Sequence, residues 1–175
     1  MTDANLDLRS FIRDIPDFPT EGILFRDVTP LLADPRAFRV GIDRLSEPFV
    51  GQHIDKVIGI ESRGFFLAGP VALALAAGLV IVRKPGKLPR ETWSVSYDLE
   101  YGTDTVEMHR DSVDAGERVL IVDDLIATGG TASASVKLAR KAGGEVVGCV
   151  FFVELDALEG RERLGVDRVH SLIHY

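Results

Sequence analysis

The stretch "RVLIVDDLIATGGTA", Arg118 to Ala132, passes without a break from an apolar run to two adjacent carboxylates and then to the small polar string Thr128-Gly129-Gly130-Thr131. An apolar run with no polar alternation reads as a strand covered on both faces, as in the middle of a parallel sheet. "KVIGI" (56–60) and "LVIVR" (79–83) share that character, and a fourth run, "EVVGCVFFVEL", spans 145–155. Helical patterns lie around them: "DPRAFRVGIDRLSEPF" before the first run, "GFFLAGPVALALAAG" after it, and "TASASVKLARKAGG" after the third, where Gly143-Gly144 is a stop signal. Strand and helix therefore alternate, which predicts an α/β fold with a central, mainly parallel β-sheet flanked by helices.

At 175 residues and 46% hydrophobic content, the chain suits a single domain, 1–175, that buries roughly two-thirds of the surface its unfolded form would expose. Residues 83–110 break the α/β rhythm. Two prolines and a charged start precede the alternating stretches "TWSVSYDLEY" and "DTVEMH" around Gly102, a pattern that predicts a long β-hairpin with a mobile tip projecting from the sheet as a lid. At the N-terminus, Leu8, Phe11, Ile12 and Ile15 follow helical spacing and predict a docked helix.

Charge and composition narrow the function classes. A net charge of -7 argues against general binding to nucleic acid, which needs an excess of Lys and Arg on one face. Any phosphate bound here is expected to be held locally. "PVALALAAGLVIV" is 13 residues long and interrupted by Gly78, too short for the roughly 20 residues that cross a bilayer. With no basic-then-apolar leader, the expectation is a cytoplasmic protein that does not enter membranes. The single cysteine, Cys149, lies in an apolar run and reads as a buried, inert thiol.

The chemistry is expected beyond the carboxyl ends of the strands, where loops of an open parallel sheet lead into helix N-termini. Asp123 and Asp124 fall at that end. Gly129 and Gly130 leave the backbone open to close approach, so successive N–H groups can point at one anion. Thr128 and Thr131 add hydroxyls, and the following helix adds its positive end. Neither G-x-x-x-x-G-K-[ST] nor G-x-G-x-x-G occurs at a matching place, so the triphosphate and dinucleotide readings fail on spacing. A ribose bearing a 5′-phosphate fits: the loop takes the phosphate, and the upstream carboxylates accept hydrogen bonds from the sugar hydroxyls or face charge developing at the anomeric carbon.

"VLIVDDLIATGGTA" resembles the phosphoribosyl-pyrophosphate signature of the type I phosphoribosyltransferases. Segments 17–32, 59–72, 83–89, 97–111 and 152–164 are similar to the adenine-using branch of that family, in family order over nearly the whole chain. The resemblance implies a purine salvage enzyme with the type I phosphoribosyltransferase fold. Such an enzyme transfers the 5-phosphoribosyl group from 5-phosphoribosyl 1-pyrophosphate (PRPP) to N9 of adenine, releasing pyrophosphate and giving AMP. Other readings remain open at this point: a phosphoribosyltransferase for a 6-oxopurine, or a PRPP-sensing regulator on the same fold.

By that resemblance, Ala127, Thr128, Gly129, Gly130 and Thr131 hold the 5′-phosphate, and Asp123 and Asp124 hold the ribose hydroxyls. Glu61, Ser62 and Arg63 form the pyrophosphate loop, with a cis peptide expected between Glu61 and Ser62, and Arg83, Lys84 and Lys87 supply further cations. Residues 1–33 form the base-recognition segment. There Phe25 stacks on the purine, the backbone groups of Leu24 and Arg26 read its edge, and Leu155 closes the other face. A backbone N–H cannot accept and a C=O cannot donate, so this pairing favours a 6-amino over a 6-oxo group. Glu100 would assist proton loss at the purine, and Tyr101 would seal the lid. Mg2+ is implied as cofactor, held mainly by substrate and water near Asp123 and Asp124 with no dedicated cage. A homodimer is implied as well.

Overall fold

The computed structural model describes residues 5–98 and 102–175. Its centre is a five-stranded sheet built from β3 (Lys56–Ile60), β4 (Gly78–Val82), β7 (Arg118–Ile126), β8 (Glu145–Glu154) and β9 (Val169–His174), in the order β4-β3-β7-β8-β9. Every pairing in it is parallel. β7 is the middle strand, and a register shift between Val119 and Leu120 sets its path against β8.

Neighbouring residues on these strands enter opposite cores, which is why the sequence runs are apolar without alternation. Val57, Leu120, Val122, Val150 and Phe152 face one buried cluster, and Ile58, Ile121, Cys149 and Phe151 face the other. The first cluster is covered by α1 (Thr29–Ala33), α2 (Pro35–Ser46) and α3 (Gly64–Ala74), through Leu31, Val40, Leu45, Leu67 and Val71. α4 (Gly130–Lys141) covers the second through Ala134, Val136 and Leu138. Local chemistry sets the helix ends: the Asp34 carboxylate accepts from the N–H groups of Arg36 and Ala37 at 3.0 and 2.8 Å, with Pro35 opening α2. α4 stops where Gly143 takes φ +97 and the Gly144 N–H donates to Ala139 O at 3.0 Å.

The hairpin is present as β5 (Thr92–Asp98) and β6 (Thr103–His109), antiparallel from Thr92–His109 to Asp98–Thr103. Its stem packs against α4 and shares the second core through Tyr97, Val106 and Met108. The tip residues Glu100 and Tyr101 lie outside the described residues.

The N-terminus departs from the helical expectation. Leu8–Phe11 forms a single 3-10 turn, after which Ile12 turns extended and β1 (Arg13–Ile15) pairs antiparallel with β2 (Phe25–Asp27). One turn uses up the buried contact that the spacing promised, since Leu8 alone of that turn is buried. The β1–β2 pairing instead carries the segment around Phe25 to the carboxyl side of the sheet, where Arg63 reaches its ring. β9 carries no clear strand signal and completes the sheet beside β8. Cys149 is fully buried between the layers, and burial pushes its thiol up to about 12, so it is inert as expected. Among the described residues, no helix is long and apolar enough to cross a membrane.

Candidate functional site

Three turns meet at the carboxyl ends of the central strands. The first follows β7. Asp123 and Asp124 lie in its last turn of pleat, and residues 127–129 then swing into α4, with Gly129 at φ +77 as its N-cap. The loop encloses a hollow of about 190 Å³ lined by Asp123 and residues 125–132. The second turn follows β3, where the Glu61-Ser62 peptide is cis, as expected. A second hollow, of about 240 Å³, is lined by Glu61, Ser62, Arg63, Lys84, Asp123, Asp124, Leu125 and Thr131. Asp123 thus borders both hollows. A wider surface groove of about 900 Å³ beside α2 shares no residue with either.

Close backbone approach welds the two turns together. A Cβ placed on Gly64 would lie 2.8 Å from Asp123 Oδ1 and 2.9 Å from Val122 O, so only glycine lets α3 start here. The Arg63 Nε donates to Asp124 Oδ2 at 2.5 Å, and the Asp124 N–H donates to Asp123 Oδ1 at 2.9 Å. The carboxylates divide their work. Asp124 is 4% exposed and engaged by Arg63. Asp123 faces the hollows, and burial together with the neighbouring Asp124 charge pushes its carboxyl well above the usual carboxylate range.

The third turn opens the hairpin. Glu61 gathers the cations expected to meet pyrophosphate: its carboxylate accepts from Lys87 Nζ at 2.7 Å, from the Lys84 N–H at 2.8 Å and from Arg83 Nε at 3.3 Å. The Glu61 side chain thus draws Lys87, Arg83 and the Lys84 backbone together beside the turn. Lys84 pairs with Asp104 on β6. Tyr97, absent from the sequence-based site, links the hairpin to the phosphate loop. Its hydroxyl accepts from Thr131 Oγ1 at 2.9 Å and from Lys84 Nζ at 3.3 Å, and donates to Asp104 at 3.1 Å. Both lie in the resembling segment 97–111, but nothing in it singles them out as partners; a cross-strand pairing (Tyr97↔Asp104) brings them together.

The base-recognition residues arrive from two directions. The Phe25 ring lies 5.4 Å from the Arg63 guanidinium carbon and packs edge-on against Phe18 at 5.1 Å. Arg26 stacks on Tyr175 at 3.8 Å and pairs with Asp14, which directs its side chain away from Arg63 and fixes the local backbone. Leu24 is exposed. Leu155 follows β8 directly, and its N–H donates to Ile126 O at 3.0 Å, next to the phosphate loop. Phe25, Arg63, Asp124, Asp123 and the 127–131 loop thus form one continuous row across the sheet edge. Glu100 and Tyr101 lie outside the described residues.

The cation network has a pH signature. Burial alone would raise the Glu61 carboxyl, but the hydrogen bonds from Lys87, Lys84 and Arg83 outweigh it and hold the group below its ordinary value of 4.5. A carboxylate depressed in the folded state adds stability that is present above its unfolded pKa and lost as pH falls through its folded value. Glu61→Gln should therefore flatten the acid limb of stability: thermal melts between pH 7 and pH 3 should show the variant losing less than the native chain below about pH 4.5. Parallel curves would show that Glu61 is not ionised against these cations.

A phosphoribosyl transferase domain model matches residues 32–174. The adenine phosphoribosyltransferase of Myxococcus xanthus (strain DK1622) is 55% identical over 100% of this chain and 96% of its own length. Among solved structures, that of adenine phosphoribosyltransferase from Rhodothermus marinus DSM 4252 superposes with a TM-score of 0.92 at 56% identity, covering 96% of each chain. The Saccharomyces cerevisiae enzyme, solved with an imino-altritol bisphosphate and adenine, gives 0.89 at 42% identity, covering 94% of this chain and 96% of that one. With the glycine loop, the paired aspartates and the cis Glu61-Ser62 turn together at the carboxyl ends of the strands, the chain belongs to the adenine phosphoribosyltransferase family of phosphoribosyl transferase domains.

Proposed function

We propose that this protein is a purine salvage enzyme that transfers the 5-phosphoribosyl group of PRPP to N9 of adenine, giving AMP and pyrophosphate, with residues 1–175 as one catalytic domain. The observation that carries the reading is the continuous row from Phe25 through Arg63 and the two aspartates to the 127–131 loop. Its chemistry runs from an aromatic ring through carboxylates to a glycine loop, the order that a base, a sugar and a phosphate placed end to end require.

The N–H groups of residues 128–131 and the N-terminus of α4 would take the 5′-phosphate. Asp123 would accept from the ribose hydroxyls, with Asp124 held against Arg63 behind it. Arg63, Arg83, Lys84 and Lys87 would face the pyrophosphate. Phe25 and Leu155 would sandwich the purine while the backbone of Leu24 and Arg26 reads its edge. As N9 bonds to the anomeric carbon, the bond to pyrophosphate oxygen breaks with its electron pair, and the N9 proton passes to the departing pyrophosphate. Carboxylates below the sugar favour the positive charge that develops on it. The rest of the acceleration comes from holding two substrates in line and excluding water.

The donor set fits Mg2+. Asp123 offers hard carboxylate oxygen to a hollow wide enough for a hydrated ion. When bound, Mg2+ would neutralise charge on the departing pyrophosphate. The other cluster of potential ligands, Glu154, Asp156 and His174, fits less well because Arg161 and Ser171 already occupy the Glu154 carboxylate. A cytoplasmic location belongs to the same reading, in keeping with a free buried thiol.

Incubation with PRPP, Mg2+ and each purine base in turn tests the assignment. Adenine should be consumed fastest; faster turnover of hypoxanthine or guanine would replace it with the 6-oxopurine reading. In the same assay Asp124→Asn should lose about 10²-fold or more in kcat/KM while the fold survives, and Phe25→Ala should mainly raise KM for adenine.

The homodimer is part of the proposal too. α3 leaves Phe66 and Leu73 exposed at 58% and 84%, seven residues apart and so on one face, beside exposed Leu79 on the edge strand β4. Light scattering should give twice the chain mass of 19.1 kDa, and Leu73→Glu should shift it toward the single chain. A native monomer at micromolar concentration would contradict this.

A further inference from the structure

One carboxylate inside the core has no part in the reaction as described so far. Glu154 ends β8 after five fully buried residues and is itself 3% exposed. Arg161 grips it with both arms of its guanidinium, Nε to Oε1 and Nη2 to Oε2, each at 2.6 Å, and Ser171 Oγ on β9 donates to Oε2 at 2.6 Å. Arg161 lies in a 3-10 turn, Gly160–Arg163. The turn is tied at its far end as well, where Leu164 is buried in the second core and Arg140 Nη2 on α4 donates to Gly165 O at 2.6 Å. The hydrogen bonds from Arg161 lead the causes that hold the Glu154 carboxyl below its ordinary value, against the pull of burial.

What this turn presses against is the phosphate loop. A Cβ on Gly160 would fall 2.1 Å from Ala127 O and 2.9 Å from Gly129 N, and a Cβ on Gly129 would fall 2.3 Å from Gly160 O. The two backbones are in direct contact with no side chain between them. Gly129 at φ +77 is the residue that turns the chain from β7 into α4. The conformation of that residue decides where the N–H groups of 129–131 point.

We propose that Glu154 and Arg161 are positioning residues for the phosphate loop: their ion pair pins the 160–163 turn so that the Gly160 backbone backs Ala127 and Gly129 and keeps the loop amides converged on the 5′-phosphate. The buried carboxylate is retained because the guanidinium and the serine satisfy it, and a bidentate pair fixes direction as well as distance. Neither residue touches substrate. Their effect reaches the reaction through the shape of the loop, so it falls on PRPP first; Leu155, next to Glu154, is held by its own N–H bond to Ile126 O at 3.0 Å.

The proposal rests on the assignment of 127–131 to the 5′-phosphate, and the test separates the two by measuring ribose 5-phosphate binding by calorimetry alongside steady-state kinetics. Glu154→Gln/Arg161→Gln removes the pair without leaving a lone buried charge. Gly160→Ala keeps the pair and pushes on the loop directly. Both should weaken ribose 5-phosphate binding and raise KM for PRPP by about tenfold or more, with KM for adenine at saturating PRPP within about twofold. Arg161→Lys, which keeps the charge and loses the fork, should fall between them and the native enzyme. If the double variant does not fold, Gly160→Ala and Arg161→Lys carry the comparison. Folded variants that bind ribose 5-phosphate as tightly as the native chain would overturn the proposal. A native chain that does not bind ribose 5-phosphate would overturn the assignment of the loop and the proposal with it.

Discussion

A strand buried on both faces can hold carboxylates only toward its ends and only where partners satisfy them, because an unpaired charge inside is too costly to keep. β7 is such a strand, central in the sheet and apolar from Val119 to Val122. Its two aspartates are therefore forced to the sheet edge, and there they meet the start of α3 so closely that residue 64 can have no side chain. The remaining parts of the site are placed relative to that edge. Arg63 is held by Asp124, Phe25 by Arg63, and the phosphate loop follows from the same strand three residues on. A shift in β7 would misplace sugar, phosphate and base contacts together.

The site is prepared for anions in an acidic protein by keeping its cations lightly occupied. Lys87, Arg83 and Lys84 are paired with Glu61 and Asp104, with side chains 49%, 30% and 38% exposed. Each of these cations keeps part of its side chain in solvent while its carboxylate partner is more enclosed, so on the proposed reading the cations stay open to a second, anionic partner. Arg63 differs, because its partner Asp124 is almost enclosed. That pair holds geometry and the others hold charge in reserve. Tyr97 extends the arrangement into the hairpin, since its one hydroxyl answers to the loop, to Lys84 and to Asp104. The hairpin stem and the start of α4 are thereby tied by direct hydrogen bonds.

Much of this was legible in the chain because the strongest signals are local. The continuous runs at 56–60, 118–123 and 145–155 could satisfy their apolar residues only between two layers, and β3, β7 and β8 lie there. The Asp-Asp and Thr-Gly-Gly-Thr strings announced a strand-to-helix turn at the carboxyl end of β7, and Gly129 at φ +77 makes that turn. What escaped depends on contacts distant in sequence. β1 and β2 are three residues each and only partly buried, with no pattern to betray them. Leu8, Phe11 and Ile12 carried helical spacing, but a single turn with one buried residue is not enough to extend a helix. The partners of the Glu61 carboxylate, Lys87, Lys84 and Arg83, lie more than twenty residues away, so no local pattern announces them. Glu154 read as the end of a strand, since nothing nearby in sequence announces that Arg161 and Ser171 converge on it.

The central claim is that the 127–131 loop is the phosphate cradle and that the β7 aspartates stand over the attached sugar. Titration of the 15N-labelled protein with ribose 5-phosphate, followed by amide chemical shifts, tests it most directly. The largest changes should fall on the N–H groups of Thr128, Gly129, Gly130 and Thr131, with Asp123 and Asp124 next. Unmoved loop amides, with changes gathered elsewhere on the surface, would contradict the account.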